Sequence, residues 1–339
     1  MKHVVLNDTG SQSEFKPDVM FDRYLSMTEK EVKKIFQKKN LKKTSCPACT
    51  HAKSSPVFKK SGFQYVECTR CRSVYMSPRP GDEQIKKYYL NSSAIAFWHS
   101  KLAKNTQDTR KEKIYEPRLR WIKTRTEEYM PEAESLADVN TRDNRFIREL
   151  IESDYFSDNI LLNPFCKTTD IAGNLSPKAR IIDSFKKPAV NERPIDVIAA
   201  FEAIDIVSDV DMLMKKINAQ LTAHGLVFLT TISISGFDLQ VLWEDSRSIF
   251  PPDRINVLSQ KGLEMLFARN GFEIIEYSTP GILDLDMVKS AMKKSKNISI
   301  PRFVKTMLEL GHEHLIHDFQ EFLQINRLSS FVRAVLRKK

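Results

Sequence analysis

The stretch that decides the fold runs from Ile195 to Ser233 and reads IDVIAAFEAIDIVSDVDMLMKKINAQLTAHGLVFLTTIS. Its first part, Ile195 to Phe201, is an apolar run too short for a helix. An acidic segment and a helical pattern follow, and after Gly225 a second apolar run extends from Leu226 to Ile232. The pattern predicts a strand, a helix ending at Gly225 and a second strand of a parallel sheet. The apolar residues at helical spacing are Met212, Leu213, Ile217 and Leu221.

The turn after the first of these strands is the natural place for a site. In open parallel sheets, ligands bind beyond the carboxyl ends of the strands. We therefore expect the segment from Phe201 to Asp205 to face a ligand.

Elsewhere, short apolar runs alternate with helical patterns from Ser135 to the end of the chain. This alternation predicts a doubly wound, mostly parallel α/β domain of seven strands. Two helical insertions are predicted at Leu285–Lys294 and Arg302–Ile325. The predicted strands are Ser135–Val139, Asn159–Asn163, Ala179–Asp183, Ile195–Phe201, Leu226–Ile232, Phe272–Tyr277 and Ser330–Leu336.

Four of the five cysteines form two close pairs, Cys46-Pro-Ala-Cys49 and Cys68-Thr-Arg-Cys71. Two C-x-x-C pairs at this separation can place four thiolates around one tetrahedral ion. Four thiolates leave no open coordination position, so we predict a structural Zn²⁺ and not a catalytic one. The aromatic residues between the pairs predict a small hairpin, and the segment reads as a zinc ribbon.

Composition narrows the classes of protein. The chain has 339 residues, of which 41% are hydrophobic and 28% charged, as in ordinary globular proteins. No apolar run approaches the roughly 20 residues of a membrane span, and no signal-peptide core is seen, so we expect a cytoplasmic protein. The net charge of +10 is scattered along the chain and not interleaved with aromatic residues, which argues against a nucleic-acid-binding zinc protein.

These signals divide the chain into four parts. Residues 1–43 are a polar, Lys-rich arm with one predicted helix, Thr28–Lys39, that shows no clear core face. Residues 44–80 are the zinc ribbon, and residues 81–131 a helical connector or cap. Residues 132–339 are the α/β domain, with a helical insertion at 284–326.

Taken together, residues 44 to 339 resemble class I S-adenosylmethionine-dependent methyltransferases preceded by a four-cysteine zinc-binding segment. The resemblance rests on the paired cysteines, the strap YMSPRP and the turn AFEAID, and on LTAHGLVFLTT, GFEIIEYSTPG and RLSSFVRAV further along. Members of this type are commonly found beside genes for surface-sugar and secondary-metabolite biosynthesis. The resemblance implies a Rossmann-like methyltransferase sheet, S-adenosylmethionine as cofactor and a small-molecule acceptor.

In that family the first strand ends in an acid before a glycine-rich turn, and the second ends in an acid that grips the ribose. Here Asp138 keeps the first acid, but Asn140 and Asn144 stand at the glycine positions and Asn163 at the ribose position. Asp183 matches the position near adenine. Phe201 is the remaining cofactor residue that the resemblance implies.

For the acceptor side, the candidates are Glu202, Asp205, Asp253 and Arg254. In the family, histidines often stand near Asp205 and at the position of Arg254, and both are replaced here. Methyl transfer depends mainly on positioning, and a base is needed only where the acceptor must lose a proton. We expect the three acids to be the candidate bases and Arg254 to steer an anionic acceptor.

Two hypotheses follow from this combination of kept and lost residues. The first is methyl transfer from S-adenosylmethionine to a nucleotide-linked or otherwise anionic sugar-type acceptor. The second is a catalytically degenerate relative that binds a protein partner or serves as a scaffold, since the glycines, the ribose acid and both histidines are missing. An oligomer or a protein partner is compatible with either.

Overall fold

The computed structural model describes residues 12–139, 145–162, 179–182, 193–295 and 297–339. Four positions singled out above, Asn140, Asn144, Asn163 and Asp183, lie outside the described residues. The strands in the described part are β1 (Ser54–Lys60), β2 (Phe63–Cys68), β3 (Val74–Met76), β4 (Ser135–Val139), β5 (Asp158–Leu162), β6 (Ala179–Ile182), β7 (Ile195–Phe201), β8 (Leu221–Ile232), β9 (Asn256–Val257), β10 (Phe272–Ser278) and β11 (Phe331–Lys338).

The α-helices fall into an N-terminal set, a set that flanks the main sheet, and a C-terminal insertion. Two single-turn π-helical segments, Trp98–Leu102 and Lys111–Tyr115, interrupt the N-terminal set. The α-helices are α1 (Gln12–Phe15), α2 (Asp18–Ile35), α3 (Asp82–Asn91), α4 (Ser93–Phe97), α5 (Ala103–Asn105), α6 (Gln107–Arg110), α7 (Glu116–Tyr129), α8 (Arg145–Glu152), α9 (Ala203–Ile206), α10 (Val210–Gln220), α11 (Phe237–Leu242), α12 (Gln260–Arg269), α13 (Asp284–Lys294), α14 (Arg302–Leu310) and α15 (Glu313–Ile325).

The main sheet has the strand order β10-β11-β8-β7-β4-β5-β6. Neighbours from β8 to β6 pair in parallel, whereas β11 runs antiparallel to both β8 and β10. The prediction of a mostly parallel α/β sheet is therefore confirmed. Because β8, β7 and β4 are neighbours, their carboxyl ends meet at one edge of the sheet.

Both faces of the sheet are covered, which explains why its strands are almost wholly apolar. On one face α7 and α8 pack with residues such as Trp121, Phe146 and Phe228. On the other face α10, α12 and the N-terminal ribbon share one continuous core with the sheet. The sheet is thus buried between helices and the cysteine-bearing segment.

The N-terminal ribbon is continued by a strand from the α/β domain. Its sheet has the order β1-β2-β3-β9, and Val74 and Tyr75 of β3 pair with Val257 and Asn256 of β9. The strand β9 begins two residues after Arg254 in sequence. A boundary at residue 80 therefore cuts through a shared sheet, a pairing that sequence periodicity cannot reveal because it joins distant segments.

The arm at 1–43 differs from its prediction in the part that the structure describes. Helix α2 starts ten residues before the predicted Thr28 and ends at Ile35. It has a distinct core face, formed by Phe21, Tyr24, Thr28 and Val32. These residues are three or four apart, which places them on one side of a helix. The stripe escapes a search for aliphatic periodicity because two of its members are aromatic and one is a threonine.

The deciding stretch forms the predicted unit with one correction at Gly225. Helix α10 ends at Gln220, and β8 begins at Leu221, so Gly225 lies within the strand. The pairing of β7 with β8 is shifted there, and His224 has a φ of 61°. A Cβ at Gly225 would lie 3.0 Å from the Leu221 side chain. Glycine is therefore favoured here because the chain packs closely at a bulge, and it does not end the helix.

The helical insertion is likewise divided differently from its prediction. The span Arg302–Ile325 is split into α14 and α15 by Gly311, whose φ is 66°. Such a left-handed residue is the usual helix stop, and glycine adopts it without strain. No helix in the described part of the chain combines the length and the apolar character needed to cross a membrane.

Candidate active site

A cavity of about 350 Å³ opens at the sheet edge where β4, β7 and β8 end. It is bounded by the N-terminal helices on one side and by the segment before α13 on the other. The lining residues that matter for its chemistry are Trp98, Arg110, Lys113, Arg118, Asp138, Phe146, Phe201, Glu202, Asp253, Arg254, Asp284, Phe331 and Arg333.

Asp138 and Phe201, two of the predicted cofactor residues, both line this cavity. Asp138 belongs to β4 and is 4% exposed, so its carboxyl group is buried at the rim. The ring of Phe201 lies 5.0 Å from that of Phe146 and 4.5 Å below the guanidinium of Arg118, as measured to the ring centroid. The end of β7 therefore presents an apolar floor flanked by an acid and a cation.

Glu202 follows β7 directly and adopts a left-handed backbone with φ of 56°. Its N–H donates to the carbonyl of Thr230 at 2.7 Å, which fixes the turn against β8. One carboxylate oxygen lies 2.9 Å from Nη2 of Arg254, and the other 3.4 Å from Nη2 of Arg118. Strain of this kind at a strand end is typical of residues that are held for function.

Asp205 is brought to the same group but does not line the cavity. It is fully buried, and its Oδ2 lies 3.4 Å from Nε of Arg254. The hydroxyl of Thr231 donates to its Oδ1. The structure thus places Asp205 behind Arg254, where it orients the guanidinium and does not reach a ligand in the cavity.

Asp253 is held by two tyrosines from the N-terminal helices. The hydroxyl of Tyr24 donates to Oδ2 at 2.9 Å, and that of Tyr89 to Oδ1 at 2.7 Å. The hydroxyl of Tyr65, in the ribbon, donates to the carbonyl of Arg254 at 2.7 Å. We call Glu202, Asp205, Asp253 and Arg254 the compensated cluster, because each charge in it has a partner.

All four predicted acceptor-side residues thus come together, but Arg254 is engaged by two carboxylates. The cavity wall also contains three arginines that the sequence reasoning missed, Arg110, Arg118 and Arg333. We call Arg118 on α7 and Arg333 on β11 the arginine pair. A signal for Arg333 existed, since it interrupts the apolar alternation of β11 on the buried side between Phe331 and Val335. Burial, together with the nearby charge of Arg118, lowers the pKa of Arg333 to about 10.

Two buried acids, Asp284 and Asp238, lie together on the side of the cavity near α13. Asp284 lines the cavity and accepts hydrogen bonds from Ser329 Oγ at 2.6 Å and Ser330 N at 2.9 Å. Asp238, fully buried beside it, has its pKa raised well above the ordinary value by burial and by the charge of Asp284. One proton shared by the two carboxyl groups explains how they can lie together in the core.

The four cysteines of the ribbon converge on a single point. The sulfur atoms of Cys46 and Cys71 lie 3.5 Å apart, as do those of Cys49 and Cys68, and all four lie within 4.8 Å of one another. A tetrahedral zinc with bonds of about 2.3 Å sets its sulfurs about 3.8 Å apart. The donor set and its spacing therefore fit zinc, and it is the one group of three or more metal-binding side chains among the described residues.

Residues 111–277 match a family model described as a methyltransferase domain. The matched region is just under half of the chain and contains β4 to β9, with Asp138, the compensated cluster and Arg118. The curated proteins contain no match to this chain.

Several solved structures are similar to this chain at low sequence identity. The plantazolicin methyltransferase BamL, in complex with a triazolic desmethylPZN analog and SAH, is 12% identical with a TM-score of 0.45, over 76% of this chain and 97% of that one. The plantazolicin methyltransferase BpumL, in complex with SAH, is 13% identical with a TM-score of 0.43, over 76% and 98%. The StiE O-MT is 14% identical with a TM-score of 0.35, over 65% and 74%. The family-model match and the order of the sheet together support a class I methyltransferase domain in this chain.

Proposed function

We propose that the protein transfers a methyl group from S-adenosylmethionine to a small acceptor bound in the cavity at the ends of β4, β7 and β8. The observation that carries this proposal is the cavity itself, which joins Asp138 at the end of β4 to Glu202 after β7. In a doubly wound sheet this edge is the general place for a cofactor.

Asp138, Phe146 and Phe201 are the described residues that would hold the cofactor. The buried carboxylate of Asp138 suits a polar part of the cofactor, and the two phenyl rings suit its apolar parts. The cofactor supplies an electrophilic methyl group on a sulfonium centre. The protein's contribution is then to hold the acceptor in line with it, which can account for much of the rate.

Within the compensated cluster we assign different roles to its members. Glu202 lies between two guanidiniums that hold its carboxylate in place, which suits it to orienting an acceptor. Asp253 faces the cavity with both oxygens held by tyrosine hydroxyls, and we propose it as the proton acceptor. Arg254 and Asp205 position Glu202.

The acceptor we propose is of the nucleotide-linked or anionic sugar type. The support for this is the excess of cations in the cavity wall, where six lysine and arginine side chains stand against four acids. We further propose that the ribbon holds a structural Zn²⁺, because its thiolates leave no position open for a ligand. A bound ion would fix Tyr65, β3 and, through β9, the segment that carries Asp253 and Arg254.

The scaffold hypothesis rests on the missing glycines and ribose acid, at positions 140, 144 and 163 outside the described residues, and on the two replaced histidines. The cavity gives it no support. Isothermal titration decides between the two. We expect S-adenosylmethionine and S-adenosylhomocysteine to bind the full chain, and Asp138→Ala to abolish or strongly weaken both. Asp158→Ala, at the amino end of β5, is the matched control and should bind normally. Absence of binding at millimolar cofactor would contradict the proposal.

A further inference from the structure

Arg333 is a cation of the cavity wall that makes no side-chain hydrogen bond within the described part of the chain. Its Nε is buried without a partner, and its guanidinium lies over Trp121 at 5.3 Å and Phe331 at 5.8 Å. The nearby carboxylate of Glu276 is already engaged. It accepts from Trp121 Nε1 at 3.1 Å and from Arg125 Nε at 2.6 Å. Arg333 therefore has aromatic neighbours but no paired anion.

Arg118, the second member of the arginine pair, has one long ionic contact, at 3.4 Å to Glu202. Arg254 holds that same carboxylate at the shorter distance of 2.9 Å. The positive charge of Arg118 acts on Arg333 and helps to lower its pKa. In the part of the chain that the structure describes, the only carboxylate paired with either of these two guanidiniums is that of Glu202, which is shared with Arg254. Within the described residues, the arginine pair therefore carries an uncompensated positive charge.

Two other cations of the wall differ from the arginine pair. Arg110 donates to the carbonyl of Phe15 and to the hydroxyl of Thr106, both at 2.8 Å. Lys113 forms an ion pair with Glu14 at 2.6 Å. Holding desolvated cations together without an anion is unfavourable, so the arrangement is readily explained by a ligand that supplies one.

The position of Arg333 in the sheet points to the acceptor rather than to the cofactor. It pairs with Thr230 of β8, which in turn pairs with Phe201 of β7. With strands about 4.8 Å apart, β11 lies about 14 Å from β4, where Asp138 stands. The hydroxyl of Thr230, between Phe201 and Arg333, is also buried without a hydrogen-bond partner.

We propose that the arginine pair binds an anionic group of the methyl acceptor, a carboxylate or a phosphate, and so selects acceptors that carry one. The assignment of the anion to the methyl acceptor rests on the proposed function. The existence of an anion-binding site does not depend on it. A planar guanidinium fork fits either group through two parallel hydrogen bonds. Arg118 and Arg333 would approach the anion from α7 and β11.

The test titrates the full-length protein with inorganic phosphate and with acetate, with and without S-adenosylhomocysteine. Arg333→Gln removes the charge and keeps a planar polar group, and Arg333→Lys keeps the charge without the fork. Arg337→Gln is the matched control, because Arg337 lies on the same strand over Tyr129, at 5.8 Å, and outside the cavity. We expect at least one of the two anions to bind the wild-type protein and Arg337→Gln with equal affinity. The affinity of Arg333→Gln for that anion should be about tenfold or more lower, and that of Arg333→Lys should be intermediate.

Stability without ligand separates a binding role from a structural one. The melting temperature of Arg333→Gln without anions should equal or exceed that of the wild-type protein, because an uncompensated buried charge is removed. A clear fall in that temperature without loss of anion binding would make Arg333 a structural residue and overturn the inference.

The remaining outcomes are also decisive. No binding of either anion to the wild-type protein, or equal binding to Arg333→Gln, overturns the site. If Arg333→Gln instead weakens S-adenosylhomocysteine tenfold, the anion is the cofactor's carboxylate and the assignment to the acceptor is wrong. If the wild-type protein binds no S-adenosylhomocysteine but its anion binding still depends on Arg333, the proposed methyl transfer fails while the anion site stands.

Discussion

At the end of β7, Glu202, Asp205 and Arg254 compensate one another, whereas on β11 the guanidinium of Arg333 has no hydrogen bond in the described structure. Both groups line or adjoin one cavity, and each contains an arginine, Arg254 buried and Arg333 partly buried. The difference shows that an arginine in a cavity wall is not by itself a ligand-binding residue. In the compensated cluster each charge already has a partner in the protein, whereas the arginine pair is a surface that an anion would complete.

The largest expected difference between the compensated cluster and the arginine pair comes from removing the metal of the ribbon. Chelation with EDTA should remove the proposed zinc, whose binding in comparable sites is worth about 10–16 kcal/mol, and unfold residues 44–80. Because β3 pairs with β9, hydrogen exchange should speed up in both strands, while β11 should stay protected. Metal analysis before and after chelation is the control. Unchanged exchange after proven loss of metal would show that no structural ion supports the cluster.

Next in size is removal of the central cation of the compensated cluster. Arg254→Leu leaves Asp205 without its cation and Glu202 with only the longer contact to Arg118, and should lower the free energy of unfolding by about 3–5 kcal/mol. The control is Arg269→Leu, which breaks an exposed pair with Asp211 and should cost at most about 1 kcal/mol. Chemical denaturation measures both. Equal losses of unfolding free energy in the two variants would mean that the buried ion pairs of the cluster contribute no more than an exposed pair.

The tyrosine contacts to Asp253 allow a finer comparison between adjacent residues. Tyr89→Phe removes a 2.7 Å hydrogen bond to a carboxylate and should cost about 1.5–3 kcal/mol. Tyr88→Phe removes a 3.3 Å hydrogen bond to the hydroxyl of Thr28 and should cost about 0.5–1.5 kcal/mol. The reverse order in denaturation experiments would show that Asp253 does not depend on the N-terminal helices.

The smallest expected change is in the pH dependence of stability, and it concerns the buried acids Asp238 and Asp284. The pKa of Asp238 is raised in the folded protein, so its contribution is complete below the unfolded value near 3.9 and is lost as pH rises toward the folded pKa. Stability should fall over that window by up to about 1.4 kcal/mol per pH unit. Asp238→Asn should flatten this slope, as measured by thermal denaturation from pH 4 upward. A slope equal to that of the wild-type protein would contradict the shared proton.

Much of the fold could be predicted from local patterns. The apolar run of Ile195–Phe201, the helix after it and the strand that includes Leu226–Ile232 appear as expected, because strand and helix periods are properties of neighbouring residues. The paired cysteines likewise predicted their own convergence, since metal-ligand spacing is a local signal. The boundary at Gly225 was wrong because a glycine that ends a helix and one that relieves a bulge look the same in sequence.

The sequence by itself determined the class of the sheet, its switch from strand to turn at Phe201 and Glu202, and the cysteine cluster. Only the tertiary structure decided which charges are available to a ligand. Tyr24 reaches Asp253 across 229 residues, and Arg254 reaches Glu202 across 52. Such pairings depend on how distant elements pack, and the energy of a buried charge is set by neighbours that no local pattern specifies. For that reason Arg254, conspicuous in sequence, is part of the framework, and Arg333, hidden in the last strand, faces the cavity.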